Sequence, residues 1–492
     1  MWSGFFSKAD CWSPNLYNWL HLERAAYESM RFKENIFLIS LGCAKNLVDS
    51  EHMLGLLRSK GFPLVNSIEQ AEAVVINTCG FIKAAVEEAT KTIFELVDLK
   101  KQGKLAKIVV AGCLVQRYGH KLQREIPEVD GWVGTGEFSK VADLLENHKE
   151  KDKAAFLISR PTYLADHYVP RILTTPFYSA YVKIAEGCSH RCSFCLIPGL
   201  RGPFRSRDMQ SVVVEAEEIV SRGVKEINLI AQDTTMYGKD FEKGGSLEDL
   251  LEKLVTIKGA SWIRLLYCHP DGVSERLLEL IDSEEAICPY VDLPLQHVNE
   301  DILGAMGRNP GKQTPLELIE RIRSRKPRIS LRTTLMVGFP GETEEMFDEL
   351  CDFVRVARFD HLGVFVFSQE KGTAAARLKS TVVPKVAQRR LEKIMALQAG
   401  ISKGINQQMV GHVVPVLIEG FSPETKLLLK GRTATMAPDV DGQVLINKGE
   451  GVAGEIMPVL IREAYPYDLV GEIVSYQGER EAGINGLQQR DI

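Results

Sequence analysis

The run "EGCSHRCSFCLIPGLRG", residues 186–202, sets Cys188, Cys192 and Cys195 within eight positions. Thiolates at spacings of four and three can converge on one metal object. A structural zinc site takes four protein ligands, and a ferredoxin-type cluster takes four thiolates. Three thiolates on a four-iron cluster leave one iron open, as catalytic metal centres keep one position open for a substrate or cofactor. The competing arrangement is a zinc knuckle whose fourth ligand is His190, inside the loop, or a more distant residue. No fourth cysteine lies nearby, and the Cys-Pro ending of ferredoxin runs is absent.

A second set is spread more widely. Cys43, Cys79 and Cys113 each end an apolar run beside glycine, in "SLGC", "NTCG" and "AGC". Ligands of open parallel sheets bind beyond the carboxyl ends of the strands. One free cysteine there is ordinarily a small buried hydrophobe. Three at the same place in three successive units read as ligands of a second cluster, again with one iron open.

The elements that must carry these residues fall into three regions. Residues 35–150 alternate apolar runs ("NIFLISLGC", "AVVINTCGF", "KIVVAGCL", and "GWVGTGE" as a possible fourth) with helical patterns, which predicts a parallel sheet covered on both faces. The stretch 146–156 reads as a charged linker. Residues 170–405 hold six strand candidates: "AYVKIAEGC", "EINLIAQD", "WIRLLYCHP", "YVDLPLQH", "ISLRTTLMVGFP" and "HLGVFVFSQ". Six β/α units predict a partial barrel with active-site loops at the carboxyl ends of the strands, where Cys188 lies. Residues 408–476 break into short strands split by Gly and Pro, the pattern of a small all-β, OB-like barrel. Residues 1–34 read as an extension and 477–492 as a polar tail. The first 29 residues are expected to be either loosely ordered or an over-long start assignment.

Bulk properties narrow the class. The chain has 492 residues, 45% apolar and 25% charged, the balance of a globular protein with a sizeable core. Ten cysteines are too few for a disulfide scaffold, and their clustering points to metal or redox chemistry in a reducing compartment. No run approaches a membrane span, and the N-terminus lacks the uninterrupted apolar core of a signal peptide, so a cytoplasmic protein is expected. A net charge of −5 gives no global nucleic-acid footprint.

"CSHRCSFC" at the end of the first strand of a β/α region resembles the signature of the radical S-adenosylmethionine (SAM) enzymes. With the three-cysteine sheet region before it and the small barrel after it, residues 35–475 resemble the radical SAM methylthiotransferase family, whose terminal module is a TRAM domain. The resemblance implies an α/β enzyme, a transferase with two 4Fe–4S clusters, and SAM both as radical source and as methyl donor. Cys188, Cys192 and Cys195 would hold the radical cluster. Cys43, Cys79 and Cys113 would hold the auxiliary cluster that handles the inserted sulfur.

Two branches of that family differ in substrate, an aspartate β-carbon of ribosomal protein S12 or a prenylated adenosine of transfer RNA. "LGCAKNLVDSE", "YVKIAEGCSHRCSFCLIPGLRGPFRSR", "LRTTLMVGFPGETEE" and "FSQEKGTAAA" are similar to the protein-modifying branch; the other usually shows Gln-Met-Asn where this chain has Ala-Lys-Asn. A charge argument runs beside the motifs. Residues 411–474 carry more acids than bases, the wrong sign for gripping phosphates and the right one for a basic ribosomal protein. The expected partners are S12 or the small ribosomal subunit, an electron donor and a sulfur source, without a membrane and without RNA as the modified substrate. The alternative class is a non-enzymatic metal-binding or electron-transfer protein.

Among lesser candidates, Gln232 and Asp233 end the second strand of the central region, and Arg332 lies in "SLRTTLMVGFP". By the same resemblance Gln232 and Asp233 would contact the amino group of SAM, and Arg332 would meet the SAM carboxylate as a charge-assisted pair; structural polar residues are the competing view. Gly338, Pro340 and Gly341 suggest a tight loop. Arg201, Arg205 and Arg207 would hold a carboxylate or shield the cluster, or form a solvated loop. Lys45, Asn46 and Asp49 would line the second cysteine site, with Asp49 otherwise a surface position. Cys268, His269, Gln296 and His297 read as packed or hydrogen-bonded, and Cys11, Cys268, Cys288 and Cys351 receive no catalytic role.

Overall fold

A computed structural model describes residues 33–147, 154–308, 313–379 and 381–474. Apart from its last two residues, the extension expected over 1–34 lies outside them, as does the tail expected over 477–492.

Strands β1 (Ile36–Ser40), β2 (Ala73–Thr78), β3 (Lys107–Gly112), β4 (Gly131–Val133) and β5 (Ala155–Leu157) lie side by side in that order, all parallel. β2 is buried along its whole length, as a strand covered on both faces must be. The helix Lys83–Lys101 covers one face with Ala89, Ile93, Leu96 and Val97, which recur at helical spacing over Val74, Ile76, Ile108 and Val110. Met53 and Leu57, from the helix Ala44–Ser59, cover the other with Val141 and Leu145. β5 arises at the end of the stretch read as a charged linker. Its three residues are half-buried at the sheet edge, too short to leave a periodic pattern.

The central sheet runs β6 (Ser179–Lys183), β7 (Glu226–Ile230), β8 (Trp262–Leu265), β9 (Ile287–Asp292), β10 (Ser330–Val337) and β11 (His361–Val366), all parallel and in chain order. It is a partial barrel with β6 and β11 as free edges. Val182, Leu229, Leu265, Val291, Leu331 and Leu362 pack outward under the helices in one core. Side chains alternate along a strand, so Tyr181, Lys183, Arg264, Tyr290, Asp292 and Arg332 turn inward.

The third unit is a closed barrel of β12 (Val413–Ser422), β13 (Thr425–Thr433), β14 (Val444–Lys448), β15 (Ile456–Ala464) and β16 (Leu469–Ile473), in the order β12-β13-β14-β16-β15. Its loop after β13 reaches the inward face of the central sheet. There Arg264 donates to the Ala434 carbonyl at 2.7 Å, Tyr181 to Asp439 at 3.1 Å and Tyr290 to Asp441 at 2.7 Å. Beneath them Glu226, the first residue of β7, accepts from Arg264 at 3.0 Å and from Arg432 of β13 at 2.7 Å. Arg432 also donates to Glu419 at 2.7 Å. The small barrel thus closes the strand-entering mouth of the central sheet, opposite the cysteine loop.

Glu226 and Arg264 are completely buried, so neither charge is tolerable without its partner. Burial raises the Glu226 carboxyl, but Arg432 and Arg264 outweigh it and hold it at about 2. Its folded pKa lies below the ordinary carboxylate value. The stability it contributes is therefore complete above that ordinary value and is lost as pH falls toward about 2. E226Q is expected to cost about 3–5 kcal/mol near neutral pH by leaving Arg264 without a carboxylate and Arg432 with Glu419 alone. Urea unfolding of wild type and variant should converge on acidification; a variant as stable as wild type at pH 7 would show that the network carries no weight.

Candidate functional site

The early cysteines stand where β1, β2 and β3 end. Cys43 immediately precedes the helix Ala44–Ser59, Cys79 follows β2, and Cys113 opens the helix Cys113–Glu125 directly after β3. The turn into that helix needs glycine. Gly112 has φ +100°, and a Cβ there would lie 2.3 Å from Asn77 Oδ1. Cys43 keeps an exposed surface, yet the protein packed around its thiol displaces water and opposes ionisation; Lys45, Arg201 and the N–H groups of Asn46 and Lys45 outweigh this, so its pKa is lowered. Burial wins at Cys79, and pushes Cys113 up to about 11 against the pull of Arg201.

Cys188, Cys192 and Cys195 occupy the loop beyond β6. Gly187 brings the chain in at φ +77°, where a Cβ would meet the Pro203 carbonyl at 2.1 Å. The loop is tied down by Cys188 N–H to Gly202 O (3.1 Å), Cys195 N–H to Cys192 O (3.1 Å) and Ser193 N–H to Met306 O (2.8 Å). Burial pushes the Cys188 thiol up to about 11 and Cys195 to about 12.

Spread distinguishes a cluster from a single ion. Among the described residues, His190, Asp233 and His269 form a group whose ligand atoms all lie within 4.8 Å of one another, and neither cysteine trio converges so tightly. A tetrahedral zinc with 2.3 Å bonds holds its sulfurs about 3.8 Å apart. The wider trios suit a four-iron body. His190 and His269 stack face to face at 4.3 Å, and His190 Nε2 lies 2.6 Å from Asp233 Oδ2, an arrangement that braces the cysteine loop against the end of β7.

Buried polar groups connect the two cysteine sites. Asn46 donates to the carbonyls of Leu41 (3.0 Å) and Thr78 (3.1 Å), and its Oδ1 lies 3.8 Å from Cys113 Sγ. The same Oδ1 accepts from Arg201, the last residue of the short helix Ile197–Arg201 that follows Cys195. Arg201 donates to Asp49 (2.6 Å) and Glu186 (3.2 Å), and Lys183 pairs with both carboxylates. Glu186 accepts in turn from Gln232 at 2.9 Å. One continuous segment, 188–201, therefore carries three thiols for one site and the cation facing the other.

The structure brings Gln232 and Asp233 to the cysteine loop. Gln232 Oε1 is buried without a partner, an acceptor suited to an ammonium group such as that of SAM. Arg332 lies in register with Asp292, five residues before the end of β10. It is engaged by Asp292 (3.2 Å) and by Asp441 of the small barrel (3.3 Å).

Comparisons with known proteins agree with this architecture. Residues 35–134 match an uncharacterized protein family, UPF0004, residues 182–354 the radical SAM superfamily, and residues 410–474 the TRAM domain. The ribosomal protein uS12 methylthiotransferase RimO of Syntrophotalea carbinolica is 48% identical over 447 residues, covering 91% of this chain and 98% of that protein. The chain belongs to the uS12 methylthiotransferase RimO family. The RimO of Geobacter sulfurreducens is 46% identical over 90% of the chain and 99% of its own length. The fold also resembles the radical SAM methyltransferase TsrM of Kitasatospora setae, with a TM-score of 0.51 at 14% identity over 77% of this chain and 79% of that one. Radical SAM membership implies SAM and a 4Fe–4S cluster. No helix among the described residues is long and apolar enough to cross a membrane.

Three readings change in this RimO-family chain. Asp49 is buried and ion-paired, not a surface position in the helix. Arg201 and Arg207 are equally buried, Arg207 against Glu215, so the segment is not a solvated basic loop. The acidic excess of the small barrel is partly internal, because Glu419 and Asp441 are turned onto arginines within the chain, Arg432 and Arg332. Lys183 and Glu186 escaped notice; two charges closing the apolar run "YVKIAEGC" were the available sign.

In metal-free protein at pH 7.5, iodoacetamide is expected to label Cys43, exposed and with a lowered pKa, well before Cys113, Cys188 and Cys195. Peptide mass spectrometry against time checks the order. Equal rates at Cys43 and Cys113 would contradict this electrostatic picture.

Proposed function

We propose that the protein inserts a methylthio group at the β-carbon of an aspartate in ribosomal protein uS12, using two 4Fe–4S clusters and SAM. The observation that supports this reading best is the pair of three-cysteine sites, each without a fourth cysteine beside it among the described residues, joined through the segment 188–201. Cys188, Cys192 and Cys195 would hold the radical cluster, Cys43, Cys79 and Cys113 the auxiliary one. When bound, these groups supply the electron that cleaves SAM and the sulfur that is transferred.

The chain's own residues bind and position. Gln232 and Asp233 face the radical site at the end of β7, where they would meet SAM. Asp233 fixes His190 and with it the cysteine loop. The Asn46–Arg201 contact sets the auxiliary site relative to the radical site, since both depend on one guanidinium. Positioning of this kind dominates where the cofactor carries the hard chemistry. Arg332 is occupied by two carboxylates, so its part in holding SAM would require one of them to give way. The electron donor and the sulfur source come from outside the chain, and the working compartment is the cytoplasm, where small ribosomal subunits are found.

Reconstituted anaerobically with SAM, reductant and sulfide, the protein is expected to add a methylthio group to uS12, free or in small subunits, and none to transfer RNA carrying the prenylated adenosine. Mass spectrometry of both arms decides. Modified RNA with unmodified protein would overturn the substrate; 5′-deoxyadenosine absent from both would overturn the enzyme. Separately, iron analysis should find about eight irons per chain, and about four after alanine replaces either trio. An unchanged content in the C43A/C79A/C113A variant would remove the auxiliary cluster from the scheme.

A further inference from the structure

Among the described residues, seven Lys and Arg are buried to nine-tenths or more: Lys45, Lys183, Arg201, Arg207, Arg264, Arg390 and Arg432. Six of them have a carboxylate within ion-pair distance. Lys45 has none. Its ammonium lies 3.2 Å from the centroid of the Tyr267 ring and 3.5 Å from the Ala231 carbonyl, a long contact. A cation–π contact offsets part of the cost of burying a charge, but an ammonium has three N–H donors, and a buried charge is ordinarily paired.

The position of the charge says which anion it suits. Lys45 stands two residues beyond Cys43 and reaches across to the turn after β7, where Ala231 precedes Gln232 and Asp233. It therefore lies between the auxiliary trio and the radical cysteine loop. A substrate carbon that must meet both sites has to come to this place. If that carbon is the β-carbon of aspartate, its carboxylate is one bond away.

We propose that Lys45 binds the side-chain carboxylate of the aspartate to be modified, and so selects that residue. The assignment rests on the uS12 reading above. It makes Lys45 a specificity residue: a charge-assisted pair forms only with a carboxylate, and a neutral amide of the same shape forfeits it.

The test is binding by the full, cluster-loaded protein without reductant, so that no turnover occurs. Purified uS12 and its variant with asparagine at the modified position are titrated against wild type, K45M and K45R. Wild type is expected to bind the aspartate form about tenfold or more tighter than the asparagine form. K45M should lose that difference by weakening only the aspartate form, and K45R should keep part of it. Iron content should stay unchanged in K45M.

The proposal is overturned if wild type does not discriminate the two forms, if it binds neither, or if K45M weakens both equally. A K45M variant that keeps discrimination but loses iron would assign the charge to the cluster instead. Lack of discrimination with uS12 still methylthiolated leaves the function standing and removes Lys45 from it. No methylthiolation of uS12 in any form removes both.

Discussion

Two cations and two carboxylates, Lys183, Arg201, Asp49 and Glu186, hold the first domain against the central sheet, and none of them is more than 5% exposed. Each comes from a different place: the inner face of β6, the helix after the cysteine loop, the helix after Cys43, and the short extended stretch Ala185–Glu186 just before Cys188. Removing four charges from water costs several kcal/mol per ion, and mutual attraction recovers this only when every charge is met. Such a group adds little net stability against an apolar core. It instead penalises any other docking of the first sheet on the second. The distance between the cysteine sites is thereby tied to electrostatic balance.

A second buried group does the same at the opposite mouth. Glu226, Arg264, Arg432 and Glu419 join the entering ends of the central strands to the small barrel, and Asp441 adds Tyr290 and Arg332. An apolar cluster including Tyr181, Trp262 and Tyr290 with Leu417 and Ala437 packs beside them. A module attached through its acids has fewer acids left to meet a partner. Glu424, Asp439, Glu450, Glu455 and Glu463 remain exposed, so the attraction for a basic ribosomal protein rests on five of the nine acids between 411 and 474.

The fold class and the placement of the six cysteines beyond strand ends were legible because both leave strong local marks. Apolar runs alternating with helices dictate a parallel sheet, and cysteine is rare enough that its recurrence at strand ends carries meaning. The polar interior was not legible. The helix Ala44–Ser59 buries Lys45, Asn46, Asp49, Ser50, Glu51 and His52, the reverse of the usual rule that charged residues face water. Nothing within the helix explains this, since the partners of Asp49 and Glu51 lie more than a hundred residues further on, at Lys183, Arg201 and Arg171. Arg332 shows a related limit. Strand candidates could be found, but β10 outruns β9, and a place along one strand does not fix a height in the barrel without the register.

The open edges of the central sheet are the last constraint. Six strands leave β6 and β11 unpaired to each other, and exposed edges invite unwanted pairing. The first domain touches both. It meets the β6 side through Asp49 and Lys183, and the segment after β11 through Arg117, which donates to Glu370 at 2.9 Å, and the Lys83 N–H, which donates to the same carboxylate at 2.8 Å. A domain bridging that gap necessarily sets its own strand ends beside those of the central sheet. The same incompleteness that spares the barrel two strands thus lets the first domain set its cysteine-bearing strand ends beside the segment after Cys195, joined through Asn46 and Arg201.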